Sequence, residues 1–323
     1  VGDFLDTNLA TLSLQWQFLP WISAVFLPAL AMRSFQGKNL GDIGLILSYP
    51  IPAYSTVLGK WLAGLMLIVC ALVLTFPFFI TVTSIGTPDF GILASGYLGA
   101  FLTLSLFYSI ALLSSAICKE EVSSFLLGSS LIFVLLFTDV NALQTSLVPE
   151  WLKHVSHYLF LMSPKHWMDE LSTGQISLSA ILYFILLTSL VLSLACQQMR
   201  GYYSSPKHPF APPILSVVGL LFSAAFVGGA ARVIENFDLN VDVTEHKEYT
   251  FRPGTIEIAK RSPDNTQITL YVNEDKSLIP PQIVQHIDRV SRAISNLTKQ
   301  SKGRINSESV LLQPDTDFAE AAE

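Results

Sequence analysis

Long uncharged runs broken by short charged punctuation dominate the first two thirds of the chain. Leu14 to Met32 is closed by Arg33, Trp61 to Pro88 lies between Lys60 and Asp89, and Phe90 to Cys118 lies between Asp89 and Lys119. Val122 to Thr138 follows Glu121, and Leu171 to Met199 is bounded by Glu170 and Arg200. The last run lies within Pro209 to Val233, where the 24 residues between Lys207 and Arg232 hold no full charge. A helix needs roughly 20 apolar residues to cross a bilayer core. One Asp, Lys or Arg at mid-membrane costs about 2.5–3.5 kcal/mol on insertion scales. A single such run would also suit the buried helix of a soluble domain, but repetition along the chain removes that reading. The pattern predicts a mainly α membrane protein, a polytopic helical bundle with six spans. Trp16 and Trp21 suit an interfacial belt, and Pro20 and Pro28 should kink the first span.

Two connections carry helical patterns of their own. In Ser34 to Lys60, too polar to cross, Leu40, Ile43, Ile46 and Leu47 fall at helical spacing before Pro50 and Pro52 break the helix. That spacing predicts a short amphipathic helix between two spans, which by itself would simply lie at the membrane surface. In Asp139 to Glu170, Pro149 opens a segment with Trp151, Val155, Tyr158, Leu159 and Met162 near 3–4 spacing. Ser163-Pro164 reads as an N-cap with a first-turn proline, opening a second segment that includes His166 and that Gly174 is placed to end. Two short helices in one membrane face are expected, or a hairpin dipping into the bilayer.

Charge orients the bundle. Arg33, Lys38, Lys60, Lys119, Arg200 and Lys207 fall on one side and only Lys153 and Lys165 on the other, which places the first set in the cytoplasm. Everything after Arg232 then lies outside. The residues up to 208 carry 18 of the 44 charged residues, and the remainder of the chain carries 26. Residues 209–233 therefore join a membrane domain, 1–208, to a water-facing domain, 234–323. In the latter, Thr266 to Glu274 alternates Ile268, Leu270 and Val272 as a strand with one buried face. Pro280 to Gln300 places Ile283, Ile287, Val290, Ile294 and Leu297 on one helix face, and Arg304 to Leu312 is a second strand, with a short helix at Pro253 to Lys260 ahead of them. This is the start of an α/β domain. The chain begins at Val1 and stops within polar sequence, so it reads as a fragment trimmed at both ends.

Composition adds exclusions. Charged residues make up 14% of the chain, against about 25% in soluble domains, and the net charge of −6 gives no footprint for nucleic acid. Cys70, Cys118 and Cys196 all fall in or beside apolar runs, so there is no disulfide framework in the polar domain. The runs hold no carboxylate or histidine, which argues against a proton relay or an ion-coupled transporter. No glycine loop ending in Lys-Ser/Thr is present, so the chain has no ATPase site of that class. His154 and His157 stand one helical turn apart beside Lys153 but lack a third ligand nearby, and they read as a polar helix face. Asn296-Leu297-Thr298 matches a glycosylation sequon, which matters only in a secretory setting that nothing else supports. No catalytic, cofactor-binding or metal-binding constellation emerges.

Several stretches carry a resemblance. LPALAMRSF, the Gly41 to Ser48-Tyr49-Pro50 end of the loop helix, VLGKWLAGL, GYLGAF, and MSPKHWMDELSTG followed by LYFILLTSLVLSLACQQMR resemble the permease of a gliding-motility-type (Gld-like) ABC transporter over nearly all of residues 14–200. LNVDVTEHKEYTFRPGTIEIAKRS and QITLYVNEDKSLIPPQIV resemble the start of that system's auxiliary extracytoplasmic subunit, so a natural fusion of the two is implied. The resemblance implies a six-span permease bundle with one N-terminal span missing from this fragment. It implies that residues 34–50 are the coupling helix, with Leu40, Gly41, Asp42, Ile43, Leu47, Ser48 and Pro50 facing a separate ABC ATPase subunit that holds the ATP. It makes residues 149–174, with Pro149, Trp151, Ser163, Pro164, His166 and Gly174, the outer re-entrant helices. The setting implied is a bacterial inner membrane with the C-terminal domain in the periplasm, and a homodimer or heterodimer of permeases. One departure stands out: the loop reads FQGKNLGDIGL, about one residue short, with Gly44 where relatives carry a glutamate. It favours an alternative class, a membrane scaffold that presents the outer domain without transport.

Overall fold

The computed structural model describes residues 13–35, 52–85, 89–138, 162–204, 213–235, 240–244, 266–273 and 305–312, with isolated positions between 257 and 298. These fall into two compact units, one spanning Thr11–Val243 and the other drawn from Thr244–Glu323.

The first unit is helical. Its helices are α1 (Ser13–Ala31), α2 (Ala53–Leu74), α3 (Phe76–Ile85), α4 (Phe90–Ile117), α5 (Glu121–Phe137), α6 (Pro164–Leu171), α7 (Leu178–Ser204) and α8 (Pro213–Glu235). Strands β1 (Gln175–Ser177) and β2 (Asn240–Asp242) pair antiparallel, with Ile176 opposite Val241. Helix α4 is the hub, packed on α1, α2, α5, α6 and α7, while α7 also packs on α2 and α8. Among the described residues, three stretches are long and apolar enough to cross a membrane: Ala53–Ser84, Phe90–Ile117 and Leu178–Arg200. Shorter apolar helices cover Glu121–Phe137 and Val217–Ala230.

Close approach at glycines lets the helices of the core pack around large buried side chains such as Trp167, Tyr183 and Phe107. A Cβ on Gly64 of α2 would stand 1.9 Å from the Tyr108 ring of α4, one on Gly96 would stand 2.6 Å from Trp16 Nε1, and one on Gly128 would stand 3.2 Å from Pro28. Lipid tails are as apolar as leucine, so packing contact rather than a hydrophobic drive holds such helices together, and small residues permit it. Three buried hydroxyls of α4 bond within the helix: Thr103 Oγ1 donates to the Gly99 carbonyl (2.8 Å), Ser109 Oγ to Leu106 (2.6 Å) and Ser114 Oγ to Ile110 (3.0 Å). Large apolar side chains instead cover the outside, among them Phe26, Met66, Leu74, Val122 and Phe222.

Three boundaries differ from the sequence pattern. The run from Trp61 to Pro88 is broken at Thr75, because Pro77 removes a backbone donor from the next turn and Thr75 Oγ1 takes the Leu72 carbonyl at 2.6 Å. Residues 53–60 belong to α2, whose start is fixed by Pro52 in extended backbone, rather than to the polar connection. The run from Leu171 to Met199 is not one helix, since α6 ends at Leu171 and β1 intervenes before α7. Helix α1, by contrast, passes through Pro20 and Pro28 without a break.

In the second unit β3 (Thr266–Asn273) pairs parallel with β4 (Ile305–Leu312), Thr266 opposite Ile305 and Asn273 opposite Leu312. A parallel pair requires a crossover connection, and Val290, Ala293, Ile294, Leu297 and Thr298 between the strands are helical.

Candidate functional site

The two ends of α4 hold the most specific contacts of the first unit. At its C-terminal end the chain leaves α1 through a turn in which the Ser34 N–H donates to the Ala31 carbonyl at 2.9 Å. Ser115 of α4 then grips this turn twice. Its hydroxyl donates to the Met32 carbonyl (3.2 Å) and accepts from the Phe35 N–H (3.0 Å), using both capacities of one oxygen. Phe35 is fully buried. Arg33 Nε pairs with Glu121 Oε2 in the first turn of α5 at 2.8 Å. Lys60 of α2 donates to the Ser34 carbonyl, and its ammonium stands 5.2 Å from the centre of the Phe35 ring. Four helices therefore meet on residues 32–35, immediately before the polar connection, and α2 brings the chain back beside them.

At the N-terminal end Asp89 caps α4, its carboxylate accepting from the N–H groups of Gly91 (2.7 Å) and Ile92 (3.2 Å). Helix α6 lies against this half of α4 and against α7. Ser163 caps it by accepting from the Lys165 N–H (3.2 Å), Pro164 fills its first turn, and Lys165 pairs with Asp169 along its surface. Trp167, Met168 and Leu171 are fully buried. Trp167 stacks on Tyr183 of α7 (centroids 5.4 Å apart), whose hydroxyl donates to the Met162 carbonyl at 2.6 Å, while His166 stands edge-on to Trp167 at 5.0 Å.

The turn after α6 ends at Gly174, where φ of 92° lies in the left-handed region that glycine enters without strain. Its carbonyl accepts the Val243 N–H at 3.1 Å, closing the β1–β2 pair. The Val243 carbonyl then lies over α4, and a Cβ on Gly91 would stand 1.8 Å from that oxygen. Residues 240–243 thus form a strap across the ends of α4, α6 and α7.

Of the residues singled out in the sequence, Ser163, Pro164 and His166 open α6 and Gly174 follows its C-terminal end. Leu40, Gly41, Asp42, Ile43, Leu47, Ser48 and Pro50, together with Pro149, Trp151, His154 and His157, lie outside the described residues. Sequence reasoning missed Ser115, Phe35, Gly91 and the strap. The Ser114-Ser115 pair in a helix end and the Asp89-Phe90-Gly91 cap were the available signals. Among the described residues no group of three His, Cys, Asp or Glu could hold a metal ion. What both ends offer is mechanical linkage between helices.

Comparison with known families decides the class. The family model described as ABC-2 family transporter protein matches residues 24–205, more than half of the chain. The chain belongs to the ABC-2 transporter family. Members of this family are membrane permeases of ABC systems, transport subunits without an ATPase site of their own that normally work with an ABC ATPase. No curated protein and no solved structure matches the chain. The ABC-2 match runs from the second half of α1 to the end of α7. Gly91 and Gly174 lie inside it, whereas the strap and the β3–β4 pair lie beyond it.

Proposed function

We propose that this ABC-2 chain is the permease subunit of a gliding-motility-type ABC exporter in a bacterial inner membrane, driven by a separate ATPase that binds the ATP. In this reading the bundle has six spans in the sequence given, pairs with a second permease, and carries a fused α/β auxiliary domain, residues 234–323, in the periplasm. Residues 34–50 dock on the ATPase, and ATP-driven closure of that partner biases a two-state bundle. Residues 149–174 form the outer re-entrant pair. The observation that carries the reading is the convergence of α1, α2, α4 and α5 on residues 32–35, at the root of the docking segment, within the ABC-2 match. A segment that delivers force needs a rigid root, and this one is held by four helices.

The deciding substitution is Ile43→Asp. Truncating a central apolar contact typically costs above about 1 kcal/mol, and an unpaired charge adds to that loss. The variant should insert normally yet lose association with the ATPase and its transport-linked hydrolysis. Unchanged association would favour the second reading, a membrane scaffold without transport, which Gly44 in the docking segment supports. Orientation has its own test in a chain freed of its three cysteines. Cysteines at Lys153 and Lys276 should react with an impermeant thiol reagent in intact cells, and those at Lys38 and Lys207 should not; the reverse pattern would invert the topology.

A further inference from the structure

We propose that α4 is a transmission rod joining the root of the docking segment at one end to the strap at the other, with Ser115 and Gly91 as its positioning residues. This deepens the permease reading and rests on it for its purpose, although not for its test.

Three features of α4 support a rod. Every residue from Thr103 to Ala116 is buried, so this half of the helix cannot bend locally without displacing its neighbours. Close-packed interiors transmit such displacement rather than absorb it. The other half is held in register by near-contacts at Gly96 with Trp16 and at Gly99 with Leu171, where a Cβ would stand 3.1 Å from Leu171 Cβ. Each end then carries a contact that fits one axial position. Ser115 satisfies two backbone groups of the same turn at once. Gly91 has no left-handed φ to require glycine, so its missing side chain serves room for the Val243 carbonyl.

Gly91 and Ser115 are separated by about 36 Å of helix at roughly 1.5 Å per residue. A shift of residues 32–35 therefore reaches the strap without passing through a loop. The strap also leads directly into the second unit of the chain. Its receptor, Gly91 with Gly174 and β1, belongs to the ABC-2 part while the strap does not. The ABC-2 part and the strap are in this sense fitted to one another, and the state of the docking segment becomes legible on the far side of the bundle.

The test uses the full chain in nanodiscs and a native probe. Cys118 caps α4 beside Ser115, half-buried, its N–H closing the last turn on the Ser114 carbonyl at 3.0 Å. With Cys70 and Cys196 replaced by alanine, its maleimide labelling rate reads one end of the rod. Hydrogen exchange of the 240–243 amides reads the other. Ser115→Ala should accelerate strap exchange roughly threefold or more, within the range of measured long-range couplings. Gly91→Val should change Cys118 labelling by a similar factor, because coupling between sites is reciprocal. Ser129→Ala, a buried hydroxyl of α5 with no hydrogen-bond partner among the described residues, should move neither. Should Gly91→Val fail to insert, a disulfide between Ile176→Cys and Val241→Cys locks the strap without altering any residue of α4 and must still change Cys118 labelling. An unchanged reading at either end overturns the rod. Loss of ATPase association in Ile43→Asp bears on docking alone, so the two ideas fail separately.

Discussion

Helices α2 and α4 are alike in length and apolar character, yet they occupy opposite environments. Most of α2 faces outward, with Met66 75% and Leu74 73% exposed, and only Val57, Gly64 and Ile68 buried. Helix α4 is enclosed along most of its length. The difference lies in which apolar residues each uses. The exposed face of α2 is leucine, methionine and valine, whereas α4 interleaves glycine, alanine, serine and threonine with its large side chains. In water the more apolar of the two stretches, the one containing α2, would be the buried one. In a bilayer the solvent accepts bulky apolar surface, and small residues mark the centre because they let backbones approach.

The largest test of this contrast is truncation on the two helices. Leu112→Ala, at a fully buried site of α4, should cost about 2–5 kcal/mol through lost contacts and the cavity left behind. Leu74→Ala on the outer face of α2 should stay within about 0.5 kcal/mol. Denaturant titration in mixed micelles measures both, and equal losses would break the assignment of α4 as the centre.

Next in size is the crossing itself. Gly64→Ala places a methyl on the Tyr108 ring and should cost about 1–3 kcal/mol. Tyr108→Ala in the same chain should recover part of that loss. A double-mutant cycle that shows no coupling would mean that the helices do not cross there.

The Arg33–Glu121 pair sharpens the comparison at the helix ends. Both side chains are substantially exposed, so Arg33→Gln should cost no more than about 1 kcal/mol, falling further in high salt. A larger, salt-independent loss would show the pair to be shielded by something beyond these helices. The smallest effect expected is at Ser124 of α5. Its buried hydroxyl has no hydrogen-bond partner among the described residues, so Ser124→Ala should be neutral or stabilising by about 1 kcal/mol in the same titration. A clear destabilisation would reveal an acceptor for that hydroxyl in the assembled protein.

Local punctuation was readable at many points. Asp89 ahead of Phe90, Ser163 ahead of Pro164, and Gly174 after the short helix each announce a helix boundary through a one-residue mechanism: a side-chain acceptor, a fixed φ, a missing Cβ. Pro77 carries the same kind of signal, since its missing N–H accompanies the break at Thr75. The Ser114-Ser115 pair and the Asp89 cap mark these positions, but the partners of Ser115 and Gly91 were not readable, because a serine or glycine in an apolar run has no preferred partner until distant segments meet. Phe35 and Ser115 are 80 positions apart in sequence, and nothing local links them.

By itself, then, the sequence determined which segments become apolar helices, where several of them start, and that no glycine-loop ATPase site is present. Those are properties of a residue and its near neighbours, set by transfer energy and backbone geometry. Only the tertiary structure decided that α4 is the hub, that four helices meet on residues 32–35, and that Asn240–Asp242 return to pair with Gln175–Ser177. These depend on close approach between remote parts of the chain. In a bilayer, where apolar surface is welcome on either side of a helix, hydropathy cannot choose among such approaches; shape complementarity at glycines and a few shared hydrogen bonds does.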